Sequence, residues 1–462
     1  MNEHPNSIRA RDIAHVLHPY TNAQVHEKEG PLVITRGEGI YVFDDDGNRY
    51  IEALAGLFCA SLGFSEERLV DAAARQMRTL PFYHTFGHKS NEPVVELAER
   101  LLALAPVPMS KVFFANSGSE ANDTAMKLVW YYHNATGQPA KKKIISRMKA
   151  YHGVTIASAS LTGLPNNHRD FDLPIPQVLH TDCPGYYRFG KPGETEEEFA
   201  TRCAQSLEDL IEREGADTIG AFFAEPVMVS GGCIVPPRSY FEKIQNVLRK
   251  HDILLIADEV ICGFGRTGNM FGCETFGIQP DMMTMAKQLS AAYQPISALM
   301  INEKVYQAVV DESGKIGTFG HGFTYSGHPV AAAVALETLK IYEERDILGH
   351  VRRVAPLFQD GLRMLGEHPL VGEARGVGLV GTLELVMDKA SKATFDPALG
   401  VAAYAGKRAQ AHGVITRGIG DNFNLCPPLI ITEPQINALM EKAKLALDDT
   451  LRWVEMGFPG HG

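Results

Sequence analysis

The chain has 462 residues, 45% of them hydrophobic and 21% charged, which is typical of a folded protein of two or three domains and unlike a disordered one. Its formal net charge of −11, with residues 141–143 as the densest basic run, argues against a nucleic-acid partner. No stretch reaches the ~18 apolar residues of a membrane helix, and residues 1–12 lack a secretory signal core, so we expect a cytoplasmic protein without a membrane partner.

The chain begins with a hairpin signal, because residues 39–54 carry an Asp-Gly turn between two alternating runs. Short apolar runs that are typical of buried strands then follow at 111–116, 142–147, 176–180, 218–225, 253–258, 281–287 and 296–301. Helical patterns fill three of the gaps, at 120–132, 196–213 and 239–250. Strands alternating with helices predict a mostly parallel seven-stranded sheet covered by helices on both faces.

The two ends of the chain differ from this middle part. Beyond Ala331 the pattern is mainly helical, and residues 370–386 predict strands of a second, smaller sheet. We therefore expect an α/β protein with a large domain at residues 71–330. A smaller α/β domain would be assembled from both termini, residues 1–70 and 331–462.

The cysteines and histidines give no metal signal. Seven cysteines form no CxxC pair, and we expect reduced thiols packed as small apolar groups. His84 and His88 are four residues apart, but Gly87 lies between them and no HExxH acid accompanies them, so no metal site is expected.

The motif GFGRTG at residues 263–268 matches G-x-G-x-x-G directly after an apolar run. A dinucleotide site requires a helix to begin at these glycines, with its N-terminus on the pyrophosphate. Gly272, Gly277 and Pro280 interrupt any helical pattern here, so the sequence disfavours a dinucleotide-binding oxidoreductase.

A different phosphate site is predicted at FFANSGSEAND. The strand ends at Asn116, and Ser117, Gly118 and Ser119 turn the chain into a helix whose first N–H groups are free to hold one phosphate. An ordinary helix capped by serine is the alternative.

The positions of Asp258 and Lys287 suggest that the protein binds a cofactor with an aldehyde group. Each closes an apolar run, and the carboxyl ends of parallel strands are where ligands bind in open sheets. A lysine in such a place can bond to an aldehyde cofactor, and an acid can keep the ring nitrogen of that cofactor protonated. Taken alone, a lysine at a strand end is more often a surface residue with a buried stem.

Six ordered motifs resemble the class III pyridoxal-phosphate aminotransferases, within their ω-transaminase (amine:pyruvate) branch. They are NSGSEAND, AYHG, EPV, LLIADEVICGFGRTGNMFG, PDMMTMAKQLS and GFTYSGHPVAAA. The resemblance implies fold-type I and a homodimer with shared active sites, alone or paired into a tetramer. It also implies ping-pong transfer of an amino group from a primary amine to a keto acid such as pyruvate. A decarboxylase or an aminomutase of the same fold stays an alternative.

The resemblance assigns Lys287 to the covalent bond with the cofactor and Asp258 to its pyridine nitrogen. Thr324 is implied to reach the phosphate of the neighbouring subunit. The full set of implied cofactor residues is Ser117, Gly118, Ser119, Tyr151, His152, Glu225, Asp258, Val260, Lys287 and Thr324.

Substrate residues are implied in the same way, with Arg417 gripping the carboxylate of the keto acid. The set is Tyr20, Phe58, Phe86, Tyr151, Val229, Ser230, Phe323 and Arg417. Phe58 stands where the branch commonly has Trp, and Val229 and Ser230 replace Gly and Ala. These departures predict a reshaped pocket for aryl or bulky alkyl amines, although core packing is the alternative for each aromatic residue.

Overall fold

The computed structural model describes residues 6–459. The strands in this part of the chain are β1 Ile34–Glu38, β2 Tyr41–Asp44, β3 Arg49–Glu52, β4 Lys111–Ala115, β5 Lys143–Arg147, β6 Val178–Thr181, β7 Ile219–Ala224, β8 Leu254–Asp258, β9 Met282–Met285, β10 Ser297–Ile301, β11 Val371–Val377, β12 Val380–Leu385, β13 Val414–Ile415, β14 Arg417–Ile419 and β15 Asn422–Leu425.

The α-helices are α1 Ile8–His15, α2 Ala23–Glu29, α3 Ala55–Phe58, α4 Glu67–Thr79, α5 Glu92–Leu104, α6 Gly118–Ala135, α7 Ile156–Leu161, α8 Tyr186–Phe189, α9 Glu196–Glu214, α10 Tyr240–Lys250, α11 Gly272–Phe276, α12 Glu303–Ile316, α13 Pro329–Glu344, α14 Ile347–Gly366, α15 Val401–Ala411 and α16 Glu433–Glu455. Among residues 6–459, none of these helices combines the length and the apolar character that crossing a membrane requires.

The central sheet contains all seven strands that the apolar runs predict. Its order is β4-β10-β9-β8-β7-β5-β6, and the pairs are parallel except for the two that involve β10. Because side chains alternate along a strand, Phe223 of β7 packs in the cluster that contains Val129 of α6, whereas Phe222 belongs to the cluster with Ile244 of α10. Helices therefore cover both faces, and the predicted fold class is confirmed.

Segments from both ends of the chain meet in a second sheet of four strands. The predicted hairpin is formed by β2 and β3, and Asp44 Oδ1 shapes its turn by accepting N–H bonds from Asp46 (3.1 Å) and Asn48 (2.8 Å). Strand β13, from the C-terminal part, pairs in parallel with β3. The third sheet, β11-β12-β15-β14, includes the strands expected at residues 370–386. The exact domain boundaries stay a prediction.

The GFGRTG motif forms a turn, and no helix begins at its glycines, as predicted. The expectation that Gly272 interrupts any helical pattern was wrong, because the short helix α11 begins at this residue. Arg266 is fully buried in this turn, and its Nη1 donates to the carbonyl oxygens of Leu379 (3.0 Å) and Pro427 (2.6 Å). The turn therefore joins the loop after β8 to the C-terminal part of the chain.

Shortening a side chain that packs α14 against the third sheet should lower the free energy of unfolding of the protein. Leu362 is 1% exposed and packs so closely on Gly381 of β12 that a Cβ there would lie 2.2 Å from its Cδ1 atom. We expect Leu362→Ala to lower the free energy of unfolding by about 2–5 kcal/mol in chemical denaturation. Met364→Ala is the matched control, since Met364 is on the same helix but 76% exposed, and it should change stability by less than about 0.5 kcal/mol. Equal effects of the two changes would contradict this packing.

Candidate active site

A cavity of about 130 Å³ lies beyond the carboxyl ends of β7, β8 and β9, the location expected for a ligand in an open parallel sheet. Eight of the ten predicted cofactor residues line it, namely Gly118, Ser119, Tyr151, His152, Glu225, Asp258, Val260 and Lys287. The fold thus brings together residues from five separate parts of the chain, all of which the family resemblance implies as cofactor residues.

Asp258 ends β8 and is buried, with its carboxylate held by three donors. Its Oδ2 accepts hydrogen bonds from Asn122 Nδ2 and from His152 Nδ1, both at 2.8 Å, and its Oδ1 accepts the backbone N–H of Val260 at 3.0 Å. An ionised carboxylate only accepts, so His152 carries its proton on Nδ1. Its Nε2 is buried with no hydrogen-bond partner among residues 6–459.

Asn122 is a site residue that the sequence analysis missed. Besides Asp258, its Nδ2 reaches the carbonyl oxygen of His152 at 2.7 Å, and its Oδ1 accepts the hydroxyl of Thr284 at 2.9 Å. The available signal was spacing, because Asn122 lies four residues after Gly118 and therefore on the same face of α6.

Lys287 requires a correction to the predicted strand. The apolar run at 281–287 was expected to be extended throughout, but β9 ends at Met285 and Lys287 begins a short 3-10 turn. Its φ of 46° is unusual for a residue with a side chain and is the kind of backbone strain found at functional sites. Burial lowers the pKa of Lys287, and the nearby Cys59 and Asp258 oppose this shift. A larger fraction of the amine is therefore neutral and nucleophilic than in an exposed lysine.

Glu225 follows β7 and is buried beside the same cavity. Its Oε1 accepts the backbone N–H of Tyr151 at 3.0 Å, and its carbonyl oxygen accepts from Arg147 Nη2 at 2.6 Å. Burial raises the pKa of Glu225 to about 7, so near neutral pH this carboxyl group can hold a proton inside the site.

The N-terminus of α6 opens on the cavity, as the phosphate prediction requires. Ser117 does cap the helix, since its side chain accepts the N–H of Glu120 at 3.2 Å, and this agrees with the simpler alternative. Gly118 and Gly153 also let the segments around this N-terminus pack closely against each other. A Cβ at Gly118 would lie 3.1 Å from both methyl groups of Val260, and one at Gly153 only 2.4 Å from Ser119 Oγ.

Three of the predicted substrate residues form a cluster at the side of the cavity. The guanidinium carbon of Arg417 lies 5.6 Å from the centre of the Tyr20 ring, whose hydroxyl accepts from Asn167 Nδ2 at 2.6 Å. Burial raises the pKa of Tyr151, and a hydrogen bond with Tyr20 adds to the shift. Within residues 6–459, no acidic side chain forms an ion pair with Arg417.

Phe58 and Val229 provide an apolar wall near Lys287. Both belong to one buried cluster, and Lys287 Nζ lies 5.9 Å from the centre of the Phe58 ring. Ser230 follows in the same turn and is half-buried.

Of the eight predicted substrate residues, Tyr151 alone lines the cavity within residues 6–459, and three further predicted residues lie farther away. Phe86 packs at Gly322, Phe323 contacts the ring of His321 at 5.3 Å between centroids, and Thr324 is exposed. None of the three lines the cavity in the described part of the chain. The role of Thr324 in a neighbouring subunit stays a prediction.

Comparison with known proteins agrees with this geometry. The family model described as aminotransferase class-III matches residues 22–447. The chain belongs to the class III aminotransferases.

The chain is also similar to solved structures and to named proteins of the same family. The crystal structure of an omega transaminase from Pseudomonas jessenii in complex with PMP is 58% identical, with a TM-score of 0.96 over 98% of this chain and 100% of that one. Gamma aminobutyrate transaminase 3, chloroplastic, from Solanum lycopersicum is 53% identical over 97% of this chain and 88% of its own length. A vanillin aminotransferase from Capsicum chinense is 50% identical over 95% of this chain and 96% of its own length.

The protein is therefore a pyridoxal-phosphate-dependent aminotransferase that acts on small amines and keto acids. The residues present fit that cofactor on chemical grounds. They offer a buried amine with a lowered pKa, a fixed carboxylate, and a helix N-terminus flanked by two glycines where added side chains would collide.

Asn122→Ala should weaken cofactor binding, because it removes a donor from the Asp258 carboxylate. A hydrogen bond to a charged group is worth about 1.5–3 kcal/mol, which corresponds to roughly a tenfold or larger loss of affinity. Titration of the apoenzyme with pyridoxal phosphate measures this loss. Asn134→Ala is the matched control, since Asn134 lies on the same helix but is exposed and contacts Lys142. Unchanged affinity in Asn122→Ala would show that Asp258 does not depend on this donor.

Proposed function

We propose that the enzyme transfers an amino group from a primary amine with an aryl or bulky alkyl substituent to a keto acid such as pyruvate. The observation that carries the proposal is the position of Lys287. Burial favours the uncharged form of its amine, which lies 5.9 Å from the centre of the Phe58 ring and lines the same cavity as Asp258. Arg417 lies against the ring of Tyr20 without an acidic partner among residues 6–459.

Bound pyridoxal phosphate supplies an aldehyde that takes up the amino group and a ring that accepts electron density from the neighbouring carbon. In our proposal Lys287 holds the cofactor and, once released, moves a proton from the carbon that bears the amino group. Asp258 keeps the pyridine nitrogen protonated. The first N–H groups of α6, at Gly118 and Ser119, hold the phosphate.

The apolar wall supports a hydrophobic amine as donor. Phe58 is smaller than the Trp that the branch commonly has at this position, so the wall leaves more room beside Lys287. Val229 adds bulk at another point of the same cluster. An aryl or branched substituent would bury its apolar surface here, at about 25 cal/mol per Å².

Arg417 supports a keto acid as acceptor. A guanidinium group can bind a carboxylate through two parallel charge-assisted hydrogen bonds. Since Arg417 rests against the ring of Tyr20 and pairs with no acid in the described part of the chain, its charge is available to such a ligand.

The names of the relatives suggest a second donor class. Those of Solanum and Oryza are gamma-aminobutyrate transaminases, and a free Arg417 could equally bind the carboxylate of such a donor. The assay below separates the two classes. A homodimer with shared sites, alone or paired into a tetramer, and a cytoplasmic location also belong to this proposal, with exposed Thr324 as the residue offered to the neighbouring subunit.

The test measures product formation by the holoenzyme with 1-phenylethylamine and pyruvate. We expect alanine and acetophenone in equal amounts and parallel double-reciprocal plots, the signature of ping-pong transfer. Release of CO2, or turnover with 4-aminobutyrate but not with 1-phenylethylamine, would refute the proposed substrates.

Arg417→Leu should raise the KM for pyruvate by roughly tenfold or more, because two charge-assisted hydrogen bonds are lost. The KM for 1-phenylethylamine should change much less, since that amine has no carboxylate. Arg213→Leu, an exposed arginine on α9, controls for the loss of one positive charge. If the two variants gave the same KM for pyruvate, Arg417 would not bind the acceptor.

A further inference from the structure

We propose that Asp12, His18 and His26 form a binding site for a divalent transition-metal ion such as Zn²⁺, on the N-terminal segment that carries Tyr20. The sequence analysis expected no metal site, since it considered only the histidine pair at 84 and 88. The cluster instead joins α1, the following loop and α2, with spacings of six and eight residues.

The three side chains converge on one point. His18 Nε2 lies 2.8 Å and His26 Nε2 3.1 Å from the same oxygen, Asp12 Oδ1, and the two imidazole centroids are 4.1 Å apart. One ligand atom from each residue lies within 4.8 Å of the other two. Two ring nitrogens directed at a single carboxylate oxygen therefore form a compact triangle of ligand atoms.

The two nitrogen–oxygen edges of the triangle have nearly the lengths that zinc needs. Zn–N and Zn–O bonds of about 2.0 Å in a tetrahedral site place ligand atoms roughly 3.3 Å apart. Each nitrogen–oxygen contact would therefore lengthen by a few tenths of an ångström, which a rotation of the side chains provides. Two histidines with one carboxylate are also a common ligand set for zinc and for non-haem iron.

The site is accessible to an ion and to water. The side chains of Asp12, His18 and His26 are 21%, 28% and 10% exposed, so each is partly shielded but reachable. A cavity of about 240 Å³ opens on both histidines and would admit a water molecule as the fourth ligand.

A bound ion would restrain the loop between α1 and α2. Tyr20 lies between His18 and His26 in the chain and contacts Arg417, so an ion bound by both histidines would fix the loop that carries this contact. This consequence does not depend on which amine or keto acid the enzyme uses.

The experiment is a calorimetric titration of untagged, EDTA-treated holoenzyme with ZnCl2. We expect one ion per chain with micromolar affinity, and a rise of the melting temperature that grows with the concentration of free Zn²⁺. Co²⁺ in place of Zn²⁺ should give visible absorption of a tetrahedral site, a readout independent of enzyme activity.

His26→Ala and Asp12→Asn should each weaken Zn²⁺ binding at least tenfold, whereas His15→Ala should leave it unchanged. His15 is the matched control, because it lines the same cavity but is exposed and outside the cluster. Circular dichroism confirms that each variant is folded. The absence of binding, or equal binding by wild type, His26→Ala and Asp12→Asn, would overturn the proposal.

Discussion

The site depends on keeping an acidic carboxylate and a basic amine buried close to each other. Each would be costly alone, since transfer of an unpaired charge into the interior is strongly unfavourable. The fold lowers this free-energy cost in a different way for each of the two groups. Asp258 receives three hydrogen bonds, from Asn122, His152 and the backbone of Val260, whereas burial lowers the pKa of Lys287 and favours its uncharged form. The result is an amine ready to bond with an aldehyde beside an anion that can hold a ring nitrogen.

The central sheet fixes this arrangement through its register. Asp258 is paired with Thr284 on the neighbouring strand, and the Thr284 hydroxyl donates to Asn122, which in turn holds Asp258. Two adjacent strands and helix α6 are therefore closed into one hydrogen-bonded ring. The same helix places its N-terminus at the cavity, so the phosphate end and the ring end of the site are positioned by common elements.

Much of this could be predicted from the sequence, because burial patterns and turn signals are local. The apolar runs located all seven strands of the central sheet within a few residues, and strand ends located Asp258. The turn at Lys287 could not be predicted in this way, since its positive φ is imposed by the surrounding structure. Asn122 was missed because its four-residue spacing from Gly118 places it on the right face of α6 but does not reveal its contact with Asp258 on another element. The contact of Tyr20 with Arg417 joins opposite ends of the chain, which no local pattern reveals.

The central claim is that Lys287 is the residue that bonds to pyridoxal phosphate. Borohydride reduction of the holoenzyme makes a bond between the cofactor and a lysine permanent, and peptide mass spectrometry then identifies that lysine. The account predicts a phosphopyridoxyl group on the peptide that contains Lys287 and on no other. A group on another lysine, such as Lys149 two residues before Tyr151, or the absence of any modified peptide, would contradict it.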